Sequence, residues 1–202
     1  MPALKTRHDI INTFIAERNY TSFLEIGTGT GESLKLVRTQ TFVSVDPDPH
    51  TPATDHVTSD AFFDACSDSF DIILIDGLHE HNQVYRDIKN SLEHLNPGGV
   101  IILHDCLPTT EYMQRTLYES QYGYAWTGDV WKAFTKARAE LPYLMYTIDT
   151  DFGCGIIDTR FPLEPQEFPE LPTDMEAMNY DHFINYRNEF MNVKEGIYHG
   201  KQ

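Results

Sequence analysis

Three alternating glycines stand where an apolar run gives way to a polar, helix-like one. Thr21-Ser-Phe-Leu-Glu-Ile26 has the length and composition of a buried strand, Gly27-Thr-Gly-Thr-Gly31 follows it, and residues 32–39 read as a helix. Glycine lets the backbone turn tightly and approach a ligand closely, beneath the positive end of the helix that follows. A dinucleotide loop needs its third glycine one place later, where this chain has Glu32. The junction therefore predicts a ligand-binding turn in an α/β sheet, of a kind other than the nicotinamide fingerprint.

The remainder of the chain agrees with that architecture. Residues 7–17 place Ile10, Ile11, Phe14 and Ile15 on one helical face, and Thr41-Phe-Val-Ser-Val45 is a second strand stopped by Asp46-Pro-Asp-Pro. A third strand is expected near residues 55–58, with little room for a crossover helix before it. Phe70-Asp-Ile-Ile-Leu-Ile75 and Val100-Ile-Ile-Leu103 are strands, separated by a helix over 80–95 that Asn96-Pro-Gly-Gly99 ends. Helices over 110–120 and 130–140 follow, then Tyr143–Ile148 and Gly155–Ile157 as a late antiparallel hairpin at the sheet edge. Thr173-Asp-Met-Glu176 has the capping-box pattern and opens a final helix with Met175, Met178, Phe183, Tyr186 and Phe190 roughly on one side. The expected fold is a doubly wound, mostly parallel seven-stranded α/β sheet with an antiparallel edge strand, of Rossmann-like type, plus a C-terminal helix. Residues 1–160 form the ligand-binding domain in this reading, and 161–202 a Pro-rich connector and helical appendage of the same domain.

Composition narrows the function classes. With 31 acidic against 15 basic residues the formal charge is −16, a field that repels phosphate backbones and anionic lipid heads. Neither nucleic acid nor membrane is an expected partner. The apolar runs are strand-sized, and the N-terminal residues lead into an amphipathic stretch, so a cytoplasmic protein is expected. Three scattered cysteines, Cys66, Cys106 and Cys154, suggest neither a disulfide framework nor a cysteine zinc site.

The acidic-x-Gly-x-Gly-x-Gly pattern of Glu25, Gly27, Gly29 and Gly31 resembles the first motif of class I S-adenosylmethionine-dependent methyltransferases. Asp76-Gly-Leu-His79, Asn96-Pro-Gly-Gly-Val100 and Leu103-His-Asp-Cys106 are more specific, and they resemble the subgroup known as methyltransferase domain 24. That subgroup is similar to metal-dependent O-methyltransferases of macrolide sugars. The resemblance covers about residues 21–158, and Trp126-Thr-Gly-Asp-Val-Trp-Lys132 also looks family-like. It implies S-adenosylmethionine as cofactor, held by Glu25, the three glycines, Asp46 at the ribose hydroxyls, Asp60 and Ala61 near the adenine, and Asp76. It further implies His79 as general base and a metal, Mg2+ or Mn2+, on Asp76 and Asp105. His104 stands where the metal-dependent enzymes often have Glu, and as a third ligand it would suit Mn, Fe or Zn better than Mg.

Chemistry supplies an independent reason for these residue types. A sugar hydroxyl holds its proton about as tightly as water, with a pKa of ~16. Coordination to a dication lowers that value, and an imidazole near neutrality can take the proton. The expected reaction is methyl transfer to a hydroxyl of a small, sugar-like acceptor. Alternatives are metal-independent O- or N-methylation using His79 or His104, a nicotinamide-dependent oxidoreductase, or a binding module without turnover. His81 reads as a solvated loop residue, and Trp126, Trp131 and Lys132 as packing or as a cover over the acceptor. The aromatic C-terminal helix could equally cover the active site or a second copy of the chain, which keeps a homo-oligomer open.

Overall fold

Alternation along the strands decides the layers. The computed structural model describes residues 4–117, 125–168 and 171–198. Helix α1 (Arg7–Arg18) is followed by β1 (Ser22–Ile26), α2 (Glu32–Leu36), β2 (Thr41–Val45), α3 (Ser59–Ala65), β3 (Phe70–Ile75), α4 (His81–Glu93) and β4 (Leu95–Leu103). Then come α5 (Val130–Glu140), β5 (Tyr143–Ile148), β6 (Cys154–Pro162), α6 (Tyr180–Met191) and the two-residue β7 (Val193–Lys194). In β3, Ile73 and Ile75 face one layer while Ile72 and Leu74 face the other, as a period of two requires. One face is covered by Ile10, Ile11 and Phe14 of α1. The opposite face packs against Val84 and Ile88 of α4, Trp131, Phe134 and Ala137 of α5, and Phe183 and Phe190 of α6. The C-terminal helix thus shares the core of the sheet.

The sheet has seven strands in the order β2-β1-β3-β4-β6-β5-β7. All neighbours pair in parallel except β6, which runs antiparallel to both β4 and β5. This is the expected doubly wound, mostly parallel sheet, with the antiparallel strand toward one edge and β7 lying beyond β5.

Several local expectations are corrected. No strand forms over residues 55–58; only an isolated parallel bridge joins Val45 to Asp55, because that segment lacks apolar alternation. The seventh strand is supplied instead by Val193–Lys194 against β5. Asn96-Pro-Gly-Gly99 does not cap a helix but lies within β4, beside an irregularity in the β3–β4 register. There Asn96 Nδ2 donates to Asp71 Oδ1 at 2.8 Å, which holds the Pro-Gly stretch in the sheet. The helix expected over 110–120 is a short 3-10 turn at Glu111–Gln114, left by extended backbone at Arg115; residues 118–120 lie outside the described residues. Thr173 does not open the last helix: Asp174 caps a 3-10 turn at Met175–Ala177, and α6 has its own capping box in Asn179 and His182. Tyr186 has non-helical backbone angles and kinks α6. Among the described residues no helix is long and apolar enough to cross a membrane.

Candidate active site

The C-terminal ends of β1, β2 and β3 open onto a cavity of about 570 Å3. Ligands of open α/β sheets gather at this end because the strand-to-helix turns there present backbone N–H groups and helix N-termini. Lining residues include Glu25, Gly27, Gly29, Asp46, Asp60 and Asp76. Gly31 lies between the lining residues Thr30 and Glu32, in the left-handed N-cap position of α2.

The glycines act differently. Gly27 has φ +90, and a Cβ there would stand 2.1 Å from the Asp76 carbonyl oxygen, so only glycine lets β1 and β3 close together at this point. Gly29, at φ +49, would meet nothing within 4 Å; its bare backbone borders open cavity. Asp46 pins the loop, since its Oδ2 accepts from the backbone N–H of Thr28 at 3.1 Å and of Gly29 at 3.0 Å. Its other oxygen accepts from Asp48 N at 2.9 Å.

Glu25 is 2% exposed and its Oε2 has no hydrogen-bond partner. Burial pushes its carboxyl up to about 7, and the charges of Asp76 and Asp46 add to this, while Ser33 and Arg7 oppose it. An orphaned, buried carboxylate oxygen on the cavity wall is a ready acceptor for an ammonium group. Asp60 sits in the first turn of α3, half exposed, where its Oδ1 accepts from Gln83 Nε2 at 3.2 Å. Ala61 does not line the cavity: its N–H donates to Thr58 Oγ1 at 3.3 Å, and it borders a separate depression beside Phe62.

Beside the cavity, at the ends of β3 and β4, four of the expected residues converge. Asp105, held in a left-handed conformation at φ +61, turns its carboxylate back toward Asp76. His79 lies between them, with Nε2 3.7 Å from Asp76 Oδ1 and Nδ1 3.4 Å from Asp105 Oδ2. Its ring stacks on Trp126 with centroids 4.7 Å apart, and Nδ1 is also 3.3 Å from the Trp126 carbonyl. His104 Nδ1 lies 3.1 Å from Asp76 Oδ1 and 3.3 Å from Asp105 Oδ2.

Electrostatics there are dominated by carboxylates. Burial depresses the His104 imidazole, but Asp76, Asp105 and Asp151 outweigh it and push it up to about 12. His79 is likewise raised, burial being outweighed by Asp76 and Asp105. Asp76 falls far below the usual carboxylate range, the pull of His104, His79 and Arg7 exceeding the cost of burial. His104 thus spans the two carboxylates expected to share a metal with it. Asp76, His79 and Asp105 each offer one donor atom, all within 4.8 Å of one another.

Two participants were not foreseen from sequence. Arg7, at the start of α1, places Nε 3.3 Å from Asp76 Oδ2 and Nη1 3.2 Å from Asp151 Oδ2. Asp151, in the β5–β6 turn, has Oδ1 3.4 Å from His104 Nε2. No local motif marks either one, because their role depends on the start of α1 meeting the β5–β6 turn, 144 residues on.

The family-like stretch after Trp126 is divided. Trp131 is fully buried against Phe183, and Lys132 is buried with Nζ 3.2 Å from Asp129 Oδ2, so these two pack rather than cover an acceptor. Gly128, at φ +56, lies against the His79 backbone so closely that a Cβ would stand 1.8 Å from the His79 carbonyl oxygen. His81 is also buried, correcting its reading as a solvated loop residue; its backbone N–H and Nδ1 meet the Asp129 carboxylate at 2.7 and 2.8 Å.

Comparison with known proteins agrees with this geometry. Residues 24–106 match a family described as methyltransferase domain, a span from β1 through the end of β4 that includes every expected cofactor and metal residue. No curated protein sequence matches the chain. Among solved structures, an O-methyltransferase from Bacillus cereus in complex with SAH superposes with a TM-score of 0.55 at 15% identity, over 75% of this chain and 80% of that one. The SAH-bound methyltransferase PaMTH1 of Podospora anserina gives 0.57 at 14% identity, over 75% and 77%. TomG of Streptomyces achromogenes, an O-methyltransferase of tomaymycin synthesis in complex with SAM, gives 0.56 at 13% identity, over 76% and 79%. Residues 24–106 are thus similar to a methyltransferase domain, and the chain shares the fold of these solved methyltransferases.

Proposed function

We propose that the protein transfers the methyl group of S-adenosylmethionine to a hydroxyl of a small, sugar-like molecule, with His79 taking the hydroxyl proton. The observation that carries this reading is the position of His79, an imidazole held by Trp126 and two aspartates beside the cavity under the glycine loop. S-adenosylmethionine supplies the electrophilic methyl group, and the cavity suits it. The unpartnered Oε2 of Glu25 accepts the ammonium of its amino-acid part, Asp46 the ribose hydroxyls, and the open face of Gly29 lets the ligand approach the backbone. His79 orients the acceptor hydroxyl and accepts its proton as the oxygen–methyl bond forms, with positioning supplying most of the rate.

Of the donor atoms gathered here, the carboxylates of Asp76 and Asp105 would hold one divalent cation, which would lower the pKa of a coordinated hydroxyl while His79 stays free to take its proton. A second reading, transfer without metal, is favoured by His104, whose Nδ1 already lies within 3.3 Å of both Asp76 and Asp105. Methyl transfer from labelled S-adenosylmethionine to a panel of sugars, phenols and amines, run in chelator and then with Mg2+ or Mn2+, tests both. Turnover on hydroxyl acceptors that is lost in His79→Gln supports the proposal, and metal dependence then selects between its two forms. Turnover confined to amines, or undiminished in His79→Gln, contradicts it.

A further inference from the structure

A second group of ligand-type side chains lies on the other side of the His79 loop, outside the cavity. Glu80 is the N-cap of α4, His81 its first residue, and Glu176 belongs to the 3-10 turn that precedes α6. Each offers one donor atom, and all three atoms lie within 4.8 Å of one another. Among the described residues, His81 Nε2 makes no hydrogen bond, although the residue is only 3% exposed; Glu176 Oε1 stands 3.7 Å from it.

The opposite ring nitrogen explains why Nε2 is available. Asp129 is buried, pairs with Lys132, and takes hydrogen bonds from both the backbone N–H and the Nδ1 side of His81. A carboxylate held at Nδ1 orients the ring and turns Nε2 toward Glu176, the arrangement that supports metal-bound histidines. Two carboxylates balance the charge of one dication, and the imidazole adds a nitrogen donor. The nitrogen donor favours a transition metal over Mg2+ or Ca2+, and three protein ligands leave one position of a tetrahedral zinc site for water.

We propose that Glu80, His81 and Glu176 form a Zn2+-type metal site, oriented by Asp129, that ties the turn before α6 to the start of α4. The tie lies close to the active site in the chain, because His79 is two residues before His81 and its carbonyl accepts from Asp129 N at 3.1 Å. Its role is structural, fixing the base of the His79 loop.

Calorimetric titration of Zn2+ into the full-length, chelator-stripped protein tests this, with Glu176→Gln, Glu80→Gln and Asp105→Asn in parallel. Glu176 is exposed, so its substitution leaves the fold intact. The expected result is a Zn2+ isotherm in the wild type that persists in Asp105→Asn and weakens by about tenfold or more in both glutamine variants. Zn2+ should also raise the Tm of the wild type and of Asp105→Asn, with a smaller rise in Glu176→Gln. No Zn2+ binding by the wild type, binding unchanged in Glu176→Gln, or binding abolished by Asp105→Asn alone would each overturn the assignment.

Discussion

Replacing Glu25 with glutamine should stabilise the protein while weakening its hold on the cofactor. The carboxyl is pushed from 4.5 to about 7 by burial among other carboxylates. At about 1.4 kcal/mol per pH unit, that span makes the ionised form about 3 kcal/mol costlier in the folded than in the unfolded chain. The sign follows from linkage: the folded state holds this proton more tightly, so the cost is full above pH 7, shrinks as pH falls through 7, and vanishes below 4.5. Glutamine keeps the shape without the charge. Thermal unfolding of the cofactor-free protein at pH 8 should therefore show a Tm raised by ~6–12 °C in Glu25→Gln, a chain of this size moving ~2–4 °C per kcal/mol. Most of that difference should disappear at pH 5. In the same variant the affinity for S-adenosylmethionine should fall by about tenfold or more, since hydrogen bonds to charged groups contribute ~1.5–3 kcal/mol. A Tm unchanged or lowered at pH 8 would refute the argument that an unpaired carboxylate is buried there.

The glycine loop gives a paired test. Gly29→Ala should cost about 1–2 kcal/mol for its left-handed backbone and leave a folded protein, whereas Gly27→Ala must displace the Asp76 carbonyl and should cost clearly more; equal denaturation midpoints would contradict this. Asp158→Asn should lose about 3–5 kcal/mol in urea unfolding because it leaves the buried Arg18 guanidinium without its partner. Trp126→Ala should lower kcat by up to about tenfold, the ~0.5–1.5 kcal/mol of a ring pair, with little change in cofactor Kd. A loss confined to cofactor binding would move Trp126 away from His79 chemistry.

How far the sequence could be read depended on whether a feature was local. Strands β1 to β4 and helices α1 and α4 announce themselves through apolar periodicity, and Gly27 to Gly31 mark the cavity because their backbone needs are written in residue type. Asp76 and Asp105 were legible as strand-end acids. Their convergence through a left-handed Asp105 was not, since φ +61 at an aspartate has no sequence signal. The Pro-Gly-Gly after Asn96 looks like a turn in sequence, yet a side-chain bond to Asp71 keeps it in β4. His104 stands out in sequence only as a departure from Glu, and two of the groups that hold its Nε2 side, Asp151 and Arg7, lie 47 and 97 residues away in the chain. His81 looked solvated because nothing near it in sequence reveals that Asp129, 48 residues on, buries it.

The central claim is that the cavity beneath the glycine loop is built for S-adenosylmethionine. Calorimetric titration of the folded protein with S-adenosylmethionine, using NAD as control, tests it most directly. Saturable binding of S-adenosylmethionine, lost in Gly27→Ala and weakened in Glu25→Gln, with no response to NAD, is the predicted result. A protein shown to be folded that binds NAD, or binds neither ligand, would contradict it.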